Sequence, residues 1–287
     1  MRRAKAFCPG HVTGFFEICR ADTLLATGSR GAGLCLSLGA TSEVRIEDSK
    51  SQTINVEING IPGRGEVTKE AIRYLLGKDK MKLEVSTVLD LPQSQGFGMS
   101  AAGALSAAVA AASLIGKDRQ KAFEAAHVAE ITCGSGLGDV SALHKGGITI
   151  RKKPGLPPIG EVLRIDGTPK VVLCVVGRRM LTKTVLSDPV KSMIVNRIGG
   201  QRVDQIVKEP KLSVLMSLSR SFAVESGLAS LKTAKTMAVA SEHGSASMSM
   251  LGNSVFAVGD IKNLKDTLTN YGAVFVCKVD DKGPRIL

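Results

Sequence analysis

The chain has 287 residues, 44% of them hydrophobic and 22% charged, and a formal net charge of +12 at pH 7. This length and composition suit one large or two ordinary globular domains and exclude a disordered or fibrous chain. Eight Phe, two Tyr and no Trp disfavour the aromatic platforms that bind single-stranded nucleic acid, and the scattered basic residues predict a solvated cationic surface.

Strand-like and helix-like segments are interleaved in the first half of the chain. β-branched or alternating residues bounded by turn formers predict strands at residues 44–47, 53–58, 82–91 and 147–151. Apolar or small-residue periodicity predicts helices at residues 68–76, 100–114 and 118–131. Thr68 and Asp118 are the predicted N-caps of the first and third helices.

The second half begins after a segment in which proline and glycine are dense. Residues 153–158 are therefore a predicted linker, dividing the chain into domains 1–155 and 156–287. Further strands are predicted at residues 170–177, 254–258 and 273–279. Further helices are predicted at residues 188–208, 212–226 and 262–271. Because strands and helices are mixed without regular βαβ alternation, the expected fold class is α+β.

The strongest chemical signal is a glycine-rich turn after the third predicted strand. Gly96, Phe97 and Gly98 precede Met99 and Ser100 at the start of the small-residue helix. Glycines let backbone amides turn towards a ligand, and a helix N-terminus adds free N–H groups, so the pattern suits phosphates. The spacing matches neither the P-loop nor the dinucleotide fingerprint, and a plain turn before a packed alanine helix is the alternative interpretation.

One carboxylate lies on the third predicted helix and a second follows it. His127 and Glu130 are three residues apart and share one helix face, and the next glycine-rich turn would return Asp139 to the same place. Kinases need carboxylates to hold Mg²⁺ and to orient or deprotonate the attacking hydroxyl. The alternative is a solvated Glu130 and an Asp139 that caps the following turn.

Two other glycine-rich segments are interpreted as irregular structure. Residues 9–14, with the sequence Pro-Gly-His-Val-Thr-Gly, are interpreted as a turn, and residues 28–33 as a loop. Neither segment identifies a site by itself.

Together these motifs resemble the GHMP kinases. The Pro-Gly-His run is followed by Pro-x-x-x-Gly-x-Gly-x-Ser-Ala-Ala, then by Glu and Asp after the next helix, and by a degenerate turn at residues 247–254. The runs at residues 9–16, 28–33 and 250–257 are most similar to the archaeal pantoate kinases. The resemblance implies a domain like domain 2 of ribosomal protein S5 followed by a ferredoxin-like domain. It also implies ATP-dependent phosphorylation of the 4-hydroxyl of pantoate in coenzyme A biosynthesis.

The resemblance also implies roles for individual residues. The segment that would cradle ATP comprises Gly96, Phe97, Gly98, Met99, Ser100 and Ala101. Ser100 and Glu130 match the Mg²⁺ ligands, and Asp139 matches the catalytic aspartate of the mevalonate kinase branch. The common Gly-Leu-Gly-Ser-Ser is Gly-Phe-Gly-Met-Ser here, so one serine remains, at the metal position.

The carboxylate of a hydroxy acid needs a cationic partner if it loses its water. Arginine pairs with carboxylates through two parallel hydrogen bonds. Arg30 in the second glycine segment and Arg151 at the end of a strand are therefore predicted to bind substrate, with His127 and with Ser29 as a hydroxyl partner. For Arg151 the alternative is a solvated basic edge.

The expected ligands are ATP, Mg²⁺ and a small hydroxy acid, with neither nucleic acid nor a membrane as partner. Six cysteines without a Cys-x-x-Cys pair predict reduced thiols in a cytoplasmic protein. The uncharged stretch at residues 91–116 is interpreted as a buried helix, because proline, glycine and alanine give it little affinity for lipid. A homodimer is left open.

Two other functions stay open from the sequence. One is another GHMP kinase, acting on a mevalonate-like or homoserine-like substrate. The other is a non-catalytic nucleic-acid binder, which the net charge of +12 and an S5-like topology would allow.

Overall fold

The computed structural model describes residues 2–63, 65–179 and 188–287. The strands in these ranges are β1 (Arg2–Cys19), β2 (Gly28–Asp48), β3 (Thr53–Ile58), β4 (Ile61–Pro62), β5 (Met81–Leu89), β6 (Ile148–Lys153), β7 (Glu161–Ile165), β8 (Lys170–Val175), β9 (Gly244–Met248), β10 (Ser254–Gly259), β11 (Ala273–Lys278) and β12 (Arg285–Ile286). The helices are α1 (Glu66–Leu76), α2 (Met99–Leu114), α3 (Arg119–Cys133), α4 (Asp139–Leu143), α5 (Pro189–Lys208), α6 (Leu212–Glu225), α7 (Leu231–Ala240) and α8 (Ile261–Thr269).

The strands form two sheets, which confirms the α+β class. The 8-stranded sheet has the order β12-β1-β2-β5-β3-β4, with β6 paired to β2 and β7 paired to β6. The 4-stranded sheet has the order β11-β8-β10-β9 and is antiparallel throughout. The C-terminal strand β12 returns to β1, so both ends of the chain lie in the larger sheet.

Helix α2 is the buried centre of the larger sheet's helical layer. It packs on β1 and β2, and α1 and α3 pack on it. Its alanines are almost all buried, and small side chains let neighbouring elements approach closely. The prediction of a buried helix within residues 91–116 is therefore confirmed. No helix in the described residues is long and apolar enough to cross a membrane.

The two glycine segments are strands, so their interpretation as a turn and a loop is wrong. They lie in the long hairpin formed by β1 and β2. A Cβ on Gly33 would lie 2.1 Å from the carbonyl oxygen of Val12, and one on Gly14 would lie 2.0 Å from Ser219 Oγ. These glycines therefore permit close packing against the hairpin and do not mark its turns.

One of the two predicted N-caps is confirmed and the other is wrong. Asp118 caps α3, since its side chain accepts a hydrogen bond from the backbone N–H of Lys121. Thr68 does not cap α1, which begins at Glu66 after Gly65 in the left-handed conformation. Thr68 is instead a buried residue of the first helical turn, because α1 begins two residues earlier than the sequence pattern indicates.

The predicted linker joins two paired strands. Residues 153–158 lie in the connection between β6 and β7, which are antiparallel neighbours in the larger sheet. The chain passes to the smaller sheet later, between Ile165 and Lys170. Sheet membership alone does not define a folding unit, so the division at 155/156 stays a prediction.

Candidate functional site

The glycine-rich turn leads directly into α2. Gly98 is left-handed, with φ 64°, and immediately precedes the first helical residue, Met99. A Cβ on Gly98 would lie 3.2 Å from the carbonyl oxygen of His11, so β1 packs closely against the turn. In the described chain no side chain caps α2. Its first backbone N–H groups are therefore available to an anion.

The N-terminal and C-terminal motifs converge on this turn. The backbone N–H of His11 donates to the Phe97 carbonyl at 2.9 Å. Ser254 Oγ donates to the Gln95 carbonyl at 2.5 Å. A Cβ on Gly252 would lie 2.1 Å from the carbonyl carbon of Gln95, so the single glycine left in the last motif stands at a close backbone contact.

A cleft of about 360 Å³ opens over the turn. Most of the predicted site residues line it, namely Ser29, Gly96, Phe97, Gly98, Met99, Ser100, Glu130, Asp139 and Arg151. Ala101 is buried behind the turn, and neither Arg30 nor His127 lies on the cleft wall.

Glu130 places a buried carboxylate at the back of the cleft. The residue is only 2% exposed and accepts a hydrogen bond from the backbone N–H of Val140. Burial, followed by the negative charge of Asp139, raises the pKa of Glu130 well above its usual value. A Cβ on Gly136 would lie 2.7 Å from Glu130 Oε1, so the glycine-rich turn wraps closely around this side chain.

Asp139, the first residue of α4, presents its carboxylate to the cleft. The side chain is 27% exposed, and its Oδ1 lies 2.8 Å from Nδ1 of the fully buried His11. Burial lowers the pKa of His11, although the hydrogen bond and the charge of Asp139 oppose this shift. We assign a neutral imidazole that donates from Nδ1 to an ionised Asp139.

Arg151 is a buried cation beside this carboxylate. It is 1% exposed, and its Nε and Nη1 have no hydrogen-bond partner among the described residues. Burial lowers the pKa of Arg151, while the charge of Asp139 opposes the shift. A Cβ on Gly138 would lie 2.1 Å from Ser29 Oγ and 2.8 Å from Arg151 Nε. Ser29 and Arg151 therefore meet at the residue before Asp139, with unused donors to offer an anion.

The other two predicted substrate residues make contacts elsewhere. Arg30 donates to Glu17 at 2.9 Å and to Asp204 at 2.5 Å, which ties the β1–β2 hairpin to α5. Nε2 of His127 lies 3.2 Å and 3.1 Å from the carbonyl oxygens of Leu24 and Thr27. His127 thereby holds the connection between β1 and β2, although it shares α3 with Glu130.

The donor set suits a nucleotide-associated Mg²⁺ ion better than a metal held by protein alone. No group of three or more His, Cys, Asp or Glu residues in the described ranges could hold a metal ion. Mg²⁺ that accompanies a nucleotide needs only one or two carboxylates, because phosphates and waters complete its shell. Ser100 and the otherwise weakly partnered Glu130 line the same cleft and fit that requirement.

The sequence indicates that the His and Thr of residues 9–14 could line a pocket, but His11 and Thr13 are not included among the predicted site residues. Both lie on β1, where Thr13 lines the cleft and its Oγ1 lies 3.4 Å from His11 Nδ1. Interpreting residues 9–14 as a strand would have placed the two side chains on one face, since strand residues alternate. The glycines in that run concealed the alternation.

Comparisons with known proteins identify relatives of this chain. Residues 66–147 match the family described as GHMP kinases N terminal domain. The chain is 31% identical over 273 residues to the pantoate kinase of Methanocaldococcus jannaschii, covering 95% of this chain and 99% of the relative. It is 34% identical over 296 residues to the pantoate kinase of Methanospirillum hungatei, covering 100% of this chain and 97% of the relative.

Solved structures extend the comparison to the fold. A phosphotransferase related to the CoA biosynthesis pathway has a TM-score of 0.91 at 31% identity, covering 100% of this chain and 99% of that one. A homoserine kinase from Cytophaga hutchinsonii has a TM-score of 0.71 at 17% identity, covering 100% and 98%, and shares the fold alone.

Proposed function

Because the chain belongs to the pantoate kinase family of GHMP kinases, we propose that it transfers the γ-phosphoryl group of ATP to the 4-hydroxyl of pantoate. The observation that carries this proposal is one cleft that joins a glycine-rich turn at a helix N-terminus, two carboxylates and a buried guanidinium, two nitrogens of which have no partner among the described residues. The cleft offers a group for each part of the reaction. Backbone N–H donors suit the phosphates of ATP, a carboxylate suits the hydroxyl of pantoate, and a guanidinium suits its carboxylate.

The phosphate end is the turn that leads into α2. Gly96 and Gly98 are left-handed, so the backbone there adopts a shape that other residues resist. The free N–H groups at the helix start favour the negative charge of the triphosphate. ATP is the phosphate donor expected of the family.

Ser100 and Glu130 would hold the Mg²⁺ ion of the nucleotide. When bound, the ion would neutralise the negative charge that develops during phosphoryl transfer. A nearby cation would also favour the ionised form of Glu130, which burial otherwise disfavours.

Asp139 would orient the substrate hydroxyl and accept its proton. As the hydroxyl oxygen forms its bond to the γ-phosphorus, the bond from that phosphorus to the β–γ bridging oxygen breaks and ADP leaves. Asp139 is suited to this role because its carboxylate faces the cleft and has no ion-pair partner in the described chain except His11. Little covalent chemistry is required of the protein, so positioning and charge account for most of the catalysis.

Arg151 and Ser29 would bind the carboxylate of pantoate. Nε and Nη1 of Arg151 are buried and have no partner in the described part of the chain, and a carboxylate would supply the missing acceptors. Arg30 and His127 are not included in this group, because their polar atoms already have partners outside the cleft.

A screen for ADP release across small hydroxy acids tests the proposed substrate. Pantoate, mevalonate and homoserine are each supplied with Mg²⁺ and ATP, and the phosphorylated product is identified by mass spectrometry. We expect release with pantoate to exceed that with the other two by at least about tenfold. Preferential phosphorylation of mevalonate or homoserine would reassign the substrate within the GHMP kinases.

Glu130→Gln is expected to raise the midpoint of thermal unfolding of the ligand-free protein at neutral pH, by about 2 °C or more, while lowering turnover. Because the pKa of Glu130 is raised in the folded protein, the unfolded chain loses the carboxyl proton of this residue at a lower pH than the folded protein does. The free energy of unfolding therefore falls as the pH rises from the ordinary pKa of glutamate through the raised pKa of Glu130. Glutamine does not ionise, so the variant avoids that loss.

Thermal unfolding from roughly pH 5 to pH 8, with and without Mg²⁺ and ADP, measures the change in stability, and steady-state kinetics measure the change in turnover. The unchanged protein should gain more from Mg²⁺ than the Glu130→Gln variant does. The exposed Glu242→Gln is the matched control. A Glu130→Gln variant that unfolds at lower temperature at pH 8 would contradict the assigned pKa direction.

A further inference from the structure

A buried imidazole stands behind the carboxylate that faces the hydroxyl. His11 and Asp139 are 128 positions apart in the chain, yet His11 Nδ1 lies 2.8 Å from Asp139 Oδ1. The His11 side chain has no exposed surface, whereas that of Asp139 is 27% exposed. His11 therefore contacts Asp139 from the protein interior and does not face the cleft itself.

Glycines and the backbone fix the position of this imidazole. The His11 N–H donates to the Phe97 carbonyl at 2.9 Å, so β1 is held against the phosphate-binding turn. A Cβ on Gly33 would lie 2.7 Å from His11 Nε2, and a Cβ on Gly98 would lie 3.3 Å from the Cβ of His11. Since both neighbours are glycines, the ring fits closely between two backbone segments and has little room to turn.

The hydrogen bonds indicate which nitrogen carries the proton. Nε2 of His11 is buried and has no partner among the described residues. An imidazolium would bury an unsatisfied N–H at Nε2, whereas a neutral ring with its proton on Nδ1 leaves only a lone pair there. Burial also lowers the pKa of His11. The ring is thus a neutral donor to Asp139 Oδ1.

The charges around the pair favour a neutral donor at this position. Arg151 already brings a buried positive charge close enough to raise the cost of protonating His11. A lysine or arginine at position 11 would place a second fixed cation beside the same carboxylate. A neutral N–H fixes the carboxylate without neutralising the negative charge that attracts the hydroxyl proton.

From this geometry we propose that His11 is a positioning residue, which holds Oδ1 of Asp139 so that Oδ2 is directed towards the substrate hydroxyl. The inference rests on the role proposed above for Asp139. His11 does not touch the substrate, and its contribution is to the orientation of the acceptor oxygen. Orientation of reacting groups affects turnover more than substrate affinity.

Two substitutions of His11 test whether a hydrogen-bond donor at the position of Nδ1 is sufficient without the imidazole ring. In His11→Asn the amide nitrogen can occupy the place of Nδ1, whereas in His11→Gln the amide reaches the place of Nε2. We expect His11→Gln to lower kcat by at least about tenfold with KM for ATP and for the acid changed less than about twofold. His11→Asn should remain within about threefold of the unchanged enzyme. His11→Leu, similar in volume, is a second variant without a donor, in case His11→Gln does not fold.

Repeating His11→Gln in an Asp139→Asn background tests whether His11 acts through Asp139. We expect no further loss of the residual turnover there, since the group that His11 positions is already gone. Equal losses in the Asn and Gln variants, or a full further loss in the Asp139→Asn background, would overturn the proposal. The assay uses whichever hydroxy acid releases ADP in the screen, so a wrong substrate assignment leaves the test readable. No turnover with any acid would overturn the proposed kinase function and this inference with it.

Discussion

Replacing Asp139 by alanine is expected to lower kcat by about 10²–10⁴-fold, the usual contribution of a positioned general base, while ATP binding largely survives. The carboxylate faces the cleft, whereas the proposed phosphate-binding turn, Gly96 to Ser100, lies before and within α2. The loss should therefore fall on the chemical step. Steady-state kinetics give kcat, and titration with ATP gives the nucleotide affinity of the same variant.

The control for this experiment is Asp166→Ala, which removes an exposed carboxylate outside the cleft. It should leave kcat and both KM values close to those of the unchanged enzyme. Near-normal turnover in Asp139→Ala would remove Asp139 from the mechanism. Loss of ATP binding together with turnover would instead indicate that Asp139 maintains the shape of the cleft.

Replacing Arg151 by methionine is expected to raise KM for the acid substrate by about 30-fold or more, the equivalent of about 2 kcal/mol lost from a buried charge-assisted pair. KM for ATP should change little. The side chain is 1% exposed, and two of its nitrogens have no hydrogen-bond partner among the described residues. Its replacement therefore removes a buried charge without breaking a hydrogen bond of those two nitrogens. The midpoint of thermal unfolding should therefore hold or rise.

Arg30→Met is the matched control for Arg151→Met. Arg30 pairs with Glu17 and Asp204, so its replacement should lower the unfolding midpoint and leave KM for the acid nearly unchanged. An unchanged KM in Arg151→Met would remove Arg151 from the substrate site. A large rise of KM in Arg30→Met would restore Arg30 to it.

Three of the strands that the sequence pattern missed wholly or in large part, β1, β2 and β9, have small side chains or are interrupted by glycine. β1 and β2 make up the longest hairpin of the larger sheet, yet only residues 44–47 of it were predicted as a strand. Close contacts with the backbone and with Ser219 require glycine at positions 14 and 33, and a glycine leaves a gap in the period-two pattern. Strand β9, with the sequence Gly-Ser-Ala-Ser-Met, lacks the β-branched residues that mark a strand.

Of the four predicted substrate-binding residues, only Ser29 and Arg151 line the cleft, for a reason that sequence spacing could not reveal. Ser29 and Arg30 are neighbours on β2, and successive strand residues point to opposite faces. Ser29 therefore lines the cleft while Arg30 pairs with Glu17, its partner across the hairpin. Glu130 and His127 share α3 in a similar way, but only Glu130 reaches the cleft.

The sequence by itself determined the α+β class, the glycine-rich turn at Gly96 to Ser100 before and within α2, and the presence of carboxylates of the type that a kinase needs. These features depend on local chemistry, namely glycine conformation, helix N-termini and residue type. Only the tertiary structure decided that Arg151 is buried with unused donors, that Arg30 is paired elsewhere and that His11 supports Asp139. The contacts of Arg30 with Asp204 and of His11 with Asp139 join residues more than a hundred positions apart. They arise from strand pairing and burial, which no local pattern records.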